Sequence, residues 1–503
     1  MNVDSEQSRS LWADAKFPRF PALRKTQRTD VLVIGGGIAG LSTAFELARA
    51  GRKVTVVDRG PIGGGMTART SAHLSYEIDD TYAELIRKHG ERAAKLYFES
   101  QKAAVDRIEE ICAGERIACD FARLDLFVFA PDSKGRGELE DELEAAGKVG
   151  FAGVGWAEAP VQSDNKGCLR FPDQARFHPL QYLAGLAKAI KRDGGELYSN
   201  TPVVSIKETA AGPVAKTANG QTIRAKAIVA ATNAPIANRL AVHTKQAPYR
   251  TYVLTFEAGN AVPDALIWDT EDPYHYARTY RQGGDQLLLV GGEDHKSGES
   301  DDGAERMTRL EAWGRRNFPG LGKVRHRWSG QIYEPADYLP FIGHSPGHKN
   351  VYLITGDSGE GLTTGVVASL ILPDLIAKRK NRWAPVYRTT RKIVQPSPIA
   401  TYVKDLAGAT KHLFAHALGA EATADKIEPN AGAVITIDGK KMAAFRDAKG
   451  KLHTRSASCT HVGCVVKWNS FERCWDCPCH GSQFAPLGDV LQAPALTPLA
   501  PDK

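Results

Sequence analysis

The chain has 503 residues, 42% hydrophobic and 24% charged, an ordinary globular composition that is too long for one hydrophobic core and predicts two to four domains. Its net charge of +7 comes from 65 basic and 58 acidic residues that are interspersed, so the balance asks for neither nucleic acid nor an anionic membrane as partner. Mean hydropathy is -0.32, the longest apolar stretch, Gly365 to Ala377, holds Pro373 and Asp374, and Met1 to Phe20 lack an apolar leader core; no membrane span and a cytoplasmic address are expected.

In chain order, Asp30 to Ile34 is a short apolar, β-branched run suited to a strand buried on both faces. Gly35-Gly36-Gly37 breaks it, Ile38 to Ala50 has helical periodicity ended by Gly51, and Lys53 to Val57 is a second strand ending at Asp58. Thr81 to Cys112 reads as helix, and Pro179 to Arg192 as an amphipathic helix stopped by Gly194-Gly195. Thr201 to Val229 reads as strands with a turn at Asn219-Gly220. Tyr249–Phe256, Tyr274–Tyr280 and Gln286–Gly291 alternate as strands of a separate sheet. Val351 to Thr355 is another buried strand, followed by a glycine-rich turn and a helix to about Lys378. The basic triplet Lys378-Arg379-Lys380 suits a solvated helix C-terminus. Pro385, Pro396 and Pro398 mark a domain boundary near Trp383 to Ile399. A bridging helix is expected over 401–418, and short strands from Gly432 onward.

Gly35-Gly36-Gly37-Ile38-Ala39-Gly40 is G-x-G-x-x-G between a strand and a helix. Gly35 permits the tight turn, Gly37 the approach of a pyrophosphate, and Gly40 close helix–strand packing. The phosphates would sit on the helix N-terminus, and Asp58 would accept from ribose hydroxyls while disfavouring a 2′-phosphate.

Gly63-Gly64-Gly65-Met66-Thr67-Ala68-Arg69-Thr70-Ser71-Ala72-His73-Leu74 and Gly356-Asp357-Ser358-Gly359-Glu360-Gly361-Leu362-Thr363-Thr364-Gly365 resemble the flavin motifs of the D-amino-acid oxidase/sarcosine oxidase superfamily. Phe177-His178-Pro179, Val229 to Ala234 and Asp337 to Gly343 extend the likeness over most of residues 28–380. The resemblance implies an α/β Rossmann-like FAD domain (about 28–85, 165–245 and 330–380) with an α+β substrate domain (about 86–164 and 246–329), together spanning 1–395. It implies FAD held by Gly35, Gly37, Ile38, Ala39, Gly40, Asp58 and Arg59, by Gly65, Thr67, Ala68, Thr70 and His73, and by Val204, Thr232, Gly356, Gly361, Leu362 and Thr363. No Cys precedes Asp337 where some relatives attach the flavin, so non-covalent FAD is expected, with His73 an ordered hydrogen-bonding residue near it. The family's chemistry is oxidation of a C–N bond by hydride transfer to flavin. Among the sheet residues Arg250, Tyr252, Tyr274, His275, Tyr276 and Arg278, the pair Tyr276 and Arg278 share one strand face and are the catalytic candidates; His178 and His295 are weaker ones.

Five of the eight cysteines lie between Cys459 and Cys479, a concentration that reads as a metal or cluster site in a chain with no export signal. Cys459-Thr460-His461 and Cys477-Pro478-Cys479-His480 offer two thiolates and two imidazoles in paired short loops; a zinc ribbon is the alternative. The full strings, through Cys464 and Gly481-Ser482, resemble the Rieske [2Fe–2S] family, in its respiratory and photosynthetic branch. That resemblance implies ligands Cys459, His461, Cys477 and His480, a Cys464–Cys479 disulfide, and Ser482 near a cluster sulfur. Phe484 replaces a Tyr of high-potential relatives, which lowers the expected potential, and Cys474 is a bystander. A small all-β Rieske domain over 425–503, joined by a helical linker 396–424, is expected. Flavin moves electrons in pairs and the cluster singly, so the expected activity is an amine or amino-acid dehydrogenase relaying to an external one-electron carrier. A reductive flavoenzyme fed through the cluster and a direct O2-using oxidase are the alternatives.

Overall fold

The computed structural model describes residues 7–237, 241–259, 262–393 and 423–501. The helix expected over 401–418 lies outside them, as does the linker 396–424 except for its last two residues.

The first sheet is built around Gln27–Ile34, which pairs in parallel with Val54–Val57 on one side and Thr222–Ala230 on the other. Glu196–Tyr198 and Val351–Thr355 extend these flanks, again in parallel, and Phe341–His344 closes one edge antiparallel. Val31, Leu32, Val33 and Ile34 are all buried, as a strand covered on both faces requires. Helices Ile38–Arg49, Pro179–Arg192 and Gly361–Ile376 pack together over this sheet. Pro179 stands in the first turn of its helix and His178 caps it by accepting from the Gln181 amide, which is why the start of that helix is legible in the sequence.

The second sheet runs in the order Val324–Pro335, Gln246–Ala258, Asp285–Lys296, His275–Gln282, Leu266–Asp269, Ala122–Ala130, Gly167–Arg176, His73–Leu74. It therefore takes in segments beyond the 86–164 and 246–329 bounds expected for a substrate portion. Helix Gly303–Asn317 covers one side, burying Met307, Leu310 and Trp313. The stretch expected as one helix over Thr81–Cys112 is two, Tyr82–His89 and Glu91–Gly114, parted at Gly90, whose φ of +79° ends the first turn-run. Val386 and Tyr387 are buried in the main core and Arg391 pairs with Asp337 at 2.7 Å, so the proline-marked segment is packed as far as Ile393.

The C-terminal module has two small antiparallel sheets, 431–437 with 440–446 and 452–456, and 467–469 with 474–476, 483–484 and 490–492. No helix among the described residues is long and apolar enough to cross a membrane.

Two buried ion pairs fasten this module to the rest. Arg69 meets Glu472 at 2.6 Å, with side-chain exposures of 2% and 0%, and Arg250 meets Asp476 at 3.0 Å, with 1% and 3%. Glu472 also accepts from Ser329, Ser8 and the Ser8 amide, so the N-terminal segment is tied into the same knot. Burial alone would raise the Glu472 carboxyl, but the Arg69 and Arg250 charges and the two hydroxyls outweigh it and hold it down at about 2. A carboxyl depressed in the folded state stabilises above its unfolded value of 4.5, and that stability is lost as pH falls through about 2. Glu472→Ala strands the Arg69 guanidinium in the interior and is expected to cost about 3–5 kcal/mol, read as a lower midpoint in urea denaturation at neutral pH. The variant is also expected to lose the part of the acid-limb slope that the wild type shows between pH 4.5 and 2.

Candidate active site and cluster centre

The glycine turn opens a cavity where the two layers meet. A Cβ on Gly35 would stand 2.1 Å from the Ala231 carbonyl oxygen, and one on Gly40 would stand 1.9 Å from that of Gly35, so both positions are closed to any larger residue. Neither N-cap residue, Gly37 nor Glu360, caps its own helix with a side chain, although the Thr67 hydroxyl accepts from the Ile38 amide at 3.1 Å, and the N-termini of both helices line the one cavity. The two helices touch through Gly365, where a Cβ would meet the Ala39 amide nitrogen at 3.0 Å. The two helix starts give the cavity two regions of positive potential.

Of the expected cofactor residues, Gly35, Gly37, Ile38, Ala39, Asp58 and Arg59 line the cavity, and so do Gly65, Thr67, Thr70, His73, Thr232, Gly361 and Leu362. Gly40, Ala68, Val204, Gly356 and Thr363 do not. Gly40 is spent on helix–strand packing, and Thr363 is turned back onto the Glu360 carbonyl. Val203 lines the wall in place of Val204, as the alternation of a strand dictates. The Asp58 carboxylate accepts from the Gly36 amide at 2.6 Å and the Gly60 amide at 2.9 Å, locking the glycine turn to the loop after the second strand. This cradle fits a dinucleotide: a floor without Cβ atoms, a helix start at each of two regions, and an acid in its wall.

The catalytic candidates divide. Tyr276 lines the cavity, and its hydroxyl is 3.1 Å from that of Thr251; burial raises its pKa, so it is a neutral donor. Arg278 does not line the cavity. It is fully buried behind the wall, donating to the carbonyls of Ser71 and Phe177 and lying over Trp12, because the side chain two residues on from Tyr276 meets the N-terminal segment there. Arg250 is the clamp to Asp476 described above. Tyr252 stands edge-on to Phe471 of the C-terminal module and stacks on His295. His275 is buried among Asp269, Glu271 and Glu293, and His178 is a helix cap. Tyr274 is in the cavity, donating to Asp79 at 2.7 Å. His73 is in it too, with Nδ1 3.0 Å from the Ser71 hydroxyl; burial, assisted by the Arg278 charge, pushes its pKa down to about 3 and keeps the imidazole neutral.

Sequence reasoning missed the carboxylates. Asp79, Asp294, Asp357 and Glu360 all line the cavity. Burial raises them: Asp79 and Asp357 to about 6, Asp294 to about 7, Glu360 well above the usual range. Asp79 and Asp294 come from separated segments with no motif to announce them, whereas Asp357 and Glu360 stand inside the Gly356–Gly365 flavin motif and were passed over beside its glycines. Also missed were Trp268, Thr251 and Gln331 in the wall, and Gln492, Ala493 and Leu496 of the C-terminal module, which line the same cavity.

The cluster loops are near copies of each other. The Cys459 amide donates to the Cys464 carbonyl and the Gly463 amide to the Cys459 carbonyl; the Cys477 amide donates to the Ser482 carbonyl and the Gly481 amide to the Cys477 carbonyl. Gly463 and Gly481, with φ of +90° and +73°, close the two turns. Cys459 and Cys477 are hydrogen-bonded to each other, a contact that leads in lowering the Cys459 thiol to about 7, and the rings of His461 and His480 are 5.0 Å apart. Cys464 and Cys479 form a disulfide beside Cys477. His480 Nδ1 is buried and has no hydrogen-bond partner among the described residues. Two thiols and two imidazoles meeting in a buried pocket fit a [2Fe–2S] centre of mixed ligation. The Ser482 hydroxyl bonds to Cys459 and accepts from the Ala495 amide, while Phe484 is buried opposite Trp475 with no hydroxyl to offer.

The two sites adjoin. Gln331 lines the cavity and donates to the Gly481 carbonyl at 2.9 Å, and the Tyr333 hydroxyl donates to the His480 carbonyl at 3.1 Å. His243, outside the C-terminal module, lies with its ring 4.9 Å from that of His461 and 5.3 Å from that of His480.

Residues 30–375 match the FAD dependent oxidoreductase (DAO) family and residues 420–501 the Rieske [2Fe-2S] domain. A protein of Bacillus subtilis (strain 168) named "Putative Rieske 2Fe-2S iron-sulfur protein YhfW" is 31% identical over 98% of this chain and 97% of its own. The gamma-glutamylputrescine oxidoreductase of Escherichia coli (strain K12) is 29% identical over 74% of this chain and 89% of its own. Glycine oxidase from Geobacillus kaustophilus superposes with a TM-score of 0.63 at 22% identity, over 73% of this chain and 100% of that one, which shows the shared fold. The chain belongs to the DAO family of FAD-dependent oxidoreductases and carries a C-terminal Rieske domain with a [2Fe–2S] cluster.

Proposed function

We propose that the protein is a dehydrogenase acting on the C–N bond of an amine or amino acid and delivering electrons one at a time to an external carrier. The observation that supports it best is the shared wall: Gln492, Ala493 and Leu496 of the Rieske domain line the flavin cavity, and Gln331 bonds from that cavity to the carbonyl beside a cluster ligand. A cluster domain with a purely structural task has no need to complete the cavity of its neighbour. FAD supplies acceptance of a hydride from the carbon next to nitrogen, and the Rieske centre supplies one-electron transfer. The names of relatives acting on γ-glutamylputrescine, glycine and D-amino acids agree with a CH–NH donor.

The chain's own residues then have these tasks. Gly35, Gly37, Ile38 and Ala39 would receive the pyrophosphate at the first helix start, with Asp58 fixing the turn. The start of Gly361–Ile376, in the cavity wall, would offer a positive end to the negative charge that gathers on a reduced flavin. Cys459, His461, Cys477 and His480 would hold the irons, with Cys464–Cys479 pinning the two loops together. Tyr276, a neutral donor in the cavity, would orient the substrate.

Anaerobic substrate addition is expected to bleach the flavin and raise the Rieske EPR signal in step; bleaching with no such signal, joined to fast peroxide formation in air, would replace the relay by a direct oxidase. Ser482→Ala removes a donor that favours the reduced cluster and is expected to lower its potential by roughly 50–100 mV, the equivalent of a hydrogen bond of about 1–2 kcal/mol, measured by redox titration. Tyr276→Phe is expected to lower kcat/KM about five- to thirtyfold, the loss of one hydrogen bond, with the flavin spectrum unchanged.

A further inference from the structure

The carboxylates of the cavity have no use in the reading above. Asp79, Asp294, Asp357 and Glu360 line one space together with Trp268, Tyr274, Tyr276 and His73. Behind them, Ser358 lies within hydrogen-bond distance of both Asp80 and Glu334; one hydroxyl proton cannot serve two carboxylates, so that pair itself carries a proton.

Among the described residues, few cations in the wall can balance this charge. The arginines among the described lining residues are Arg59 and Arg69. Arg59 follows Asp58 at the dinucleotide end, and Arg69 is committed to Glu472, Ser8 and the Ser329 carbonyl. Arg278, the residue best suited by type to clamp a carboxylate, is turned behind the wall. An α-amino acid would therefore bring its carboxylate toward a set of acids, with no guanidinium beyond Arg59 and Arg69 among the described lining residues to receive it.

A second observation points to what does bind. Asp294 Oδ1 and Asp357 Oδ1 are buried, line the cavity through their residues, and have no hydrogen-bond partner among the described residues. Buried carboxylate oxygens without donors are costly unless a ligand supplies the donor. An ammonium supplies three, and Tyr274, Tyr276 and Trp268 line the same space, aromatic side chains of the kind that attract a cation.

We propose that this end of the cavity binds a second, non-reacting cationic nitrogen, so that the substrate is a diamine or longer polyamine and not an α-amino acid. This rests on the reading of the cavity as an amine-oxidising site. One nitrogen adjoins the carbon that loses hydride, and the other is held between Asp294, Asp79 and the neighbouring aromatic rings.

The test is binding to the FAD- and cluster-loaded protein, followed by isothermal titration calorimetry and by perturbation of the flavin spectrum. Ligands are 1,4-diaminobutane, butylamine of equal carbon length, and the α-amino acids glycine and proline. The diamine is expected to bind at least about tenfold more tightly than butylamine, a factor of ~1.4 kcal/mol, and more tightly than either amino acid. Asp294→Asn and Asp79→Asn are each expected to shrink that preference. Equal binding of diamine and monoamine by the wild-type protein, or tighter binding of the amino acids, overturns the proposal and needs no variant. The underlying reading fails differently: a protein that shows the diamine preference yet whose flavin is never bleached by any amine keeps this binding site and loses the oxidative function.

Discussion

Two buried guanidinium–carboxylate pairs decide what kind of molecule this is. Arg69–Glu472 and Arg250–Asp476 each join the flavoprotein to the cluster domain with both partners out of water. Charges so placed are unfavourable singly and tolerable only together, so the two bodies hold one relative position. That position is what makes Gln492, Ala493 and Leu496 part of the cavity and brings Gln331 to the Gly481 carbonyl. Distance between flavin cavity and cluster is thereby a property of side-chain packing.

Within the cavity, opposite electrostatic devices share one space. The helix starts at Ile38 and Gly361 offer positive potential from backbone amides. The acids Asp79, Asp294, Asp357 and Glu360 offer negative charge from side chains, muted by burial that raises each of them. The first suits an anionic cofactor and the second a cationic ligand, and both use the wall between the two sheets.

What the sequence disclosed follows from how local each feature is. The glycine turn and the cluster loops are written in contiguous residues whose spacing carries the chemistry, so Gly35, Gly37, Cys459, His461, Cys477 and His480 can be read directly. Pro179–Arg192 is legible because a proline and a capping His mark its start. Arg278 and Arg250 misled for one reason: residue type and strand face say that a guanidinium is present, and not which surface it meets. Their partners are far along the chain, with Asp476 lying 226 residues from Arg250 and Ser71 lying 207 from Arg278. The cavity acids Asp79 and Asp294 were hidden by the same distance, whereas Asp357 and Glu360 lie within a motif read for its glycines and threonines. Helix Gly303–Asn317 escaped notice because its first residues are polar and its apolar positions few, Met307, Leu310 and Trp313 being the ones that are buried.

The place of His243 decides which side of the cluster pocket is closed. Its ring rests against both His461 and His480, which are themselves only 8% and 9% exposed. The imidazole edge of the cluster pocket therefore faces the interior and not solvent. Nor can the small domain swing away from the cavity without tearing open two charged contacts. The gap between cavity and cluster pocket is thus set by packing and is indifferent to solvent viscosity.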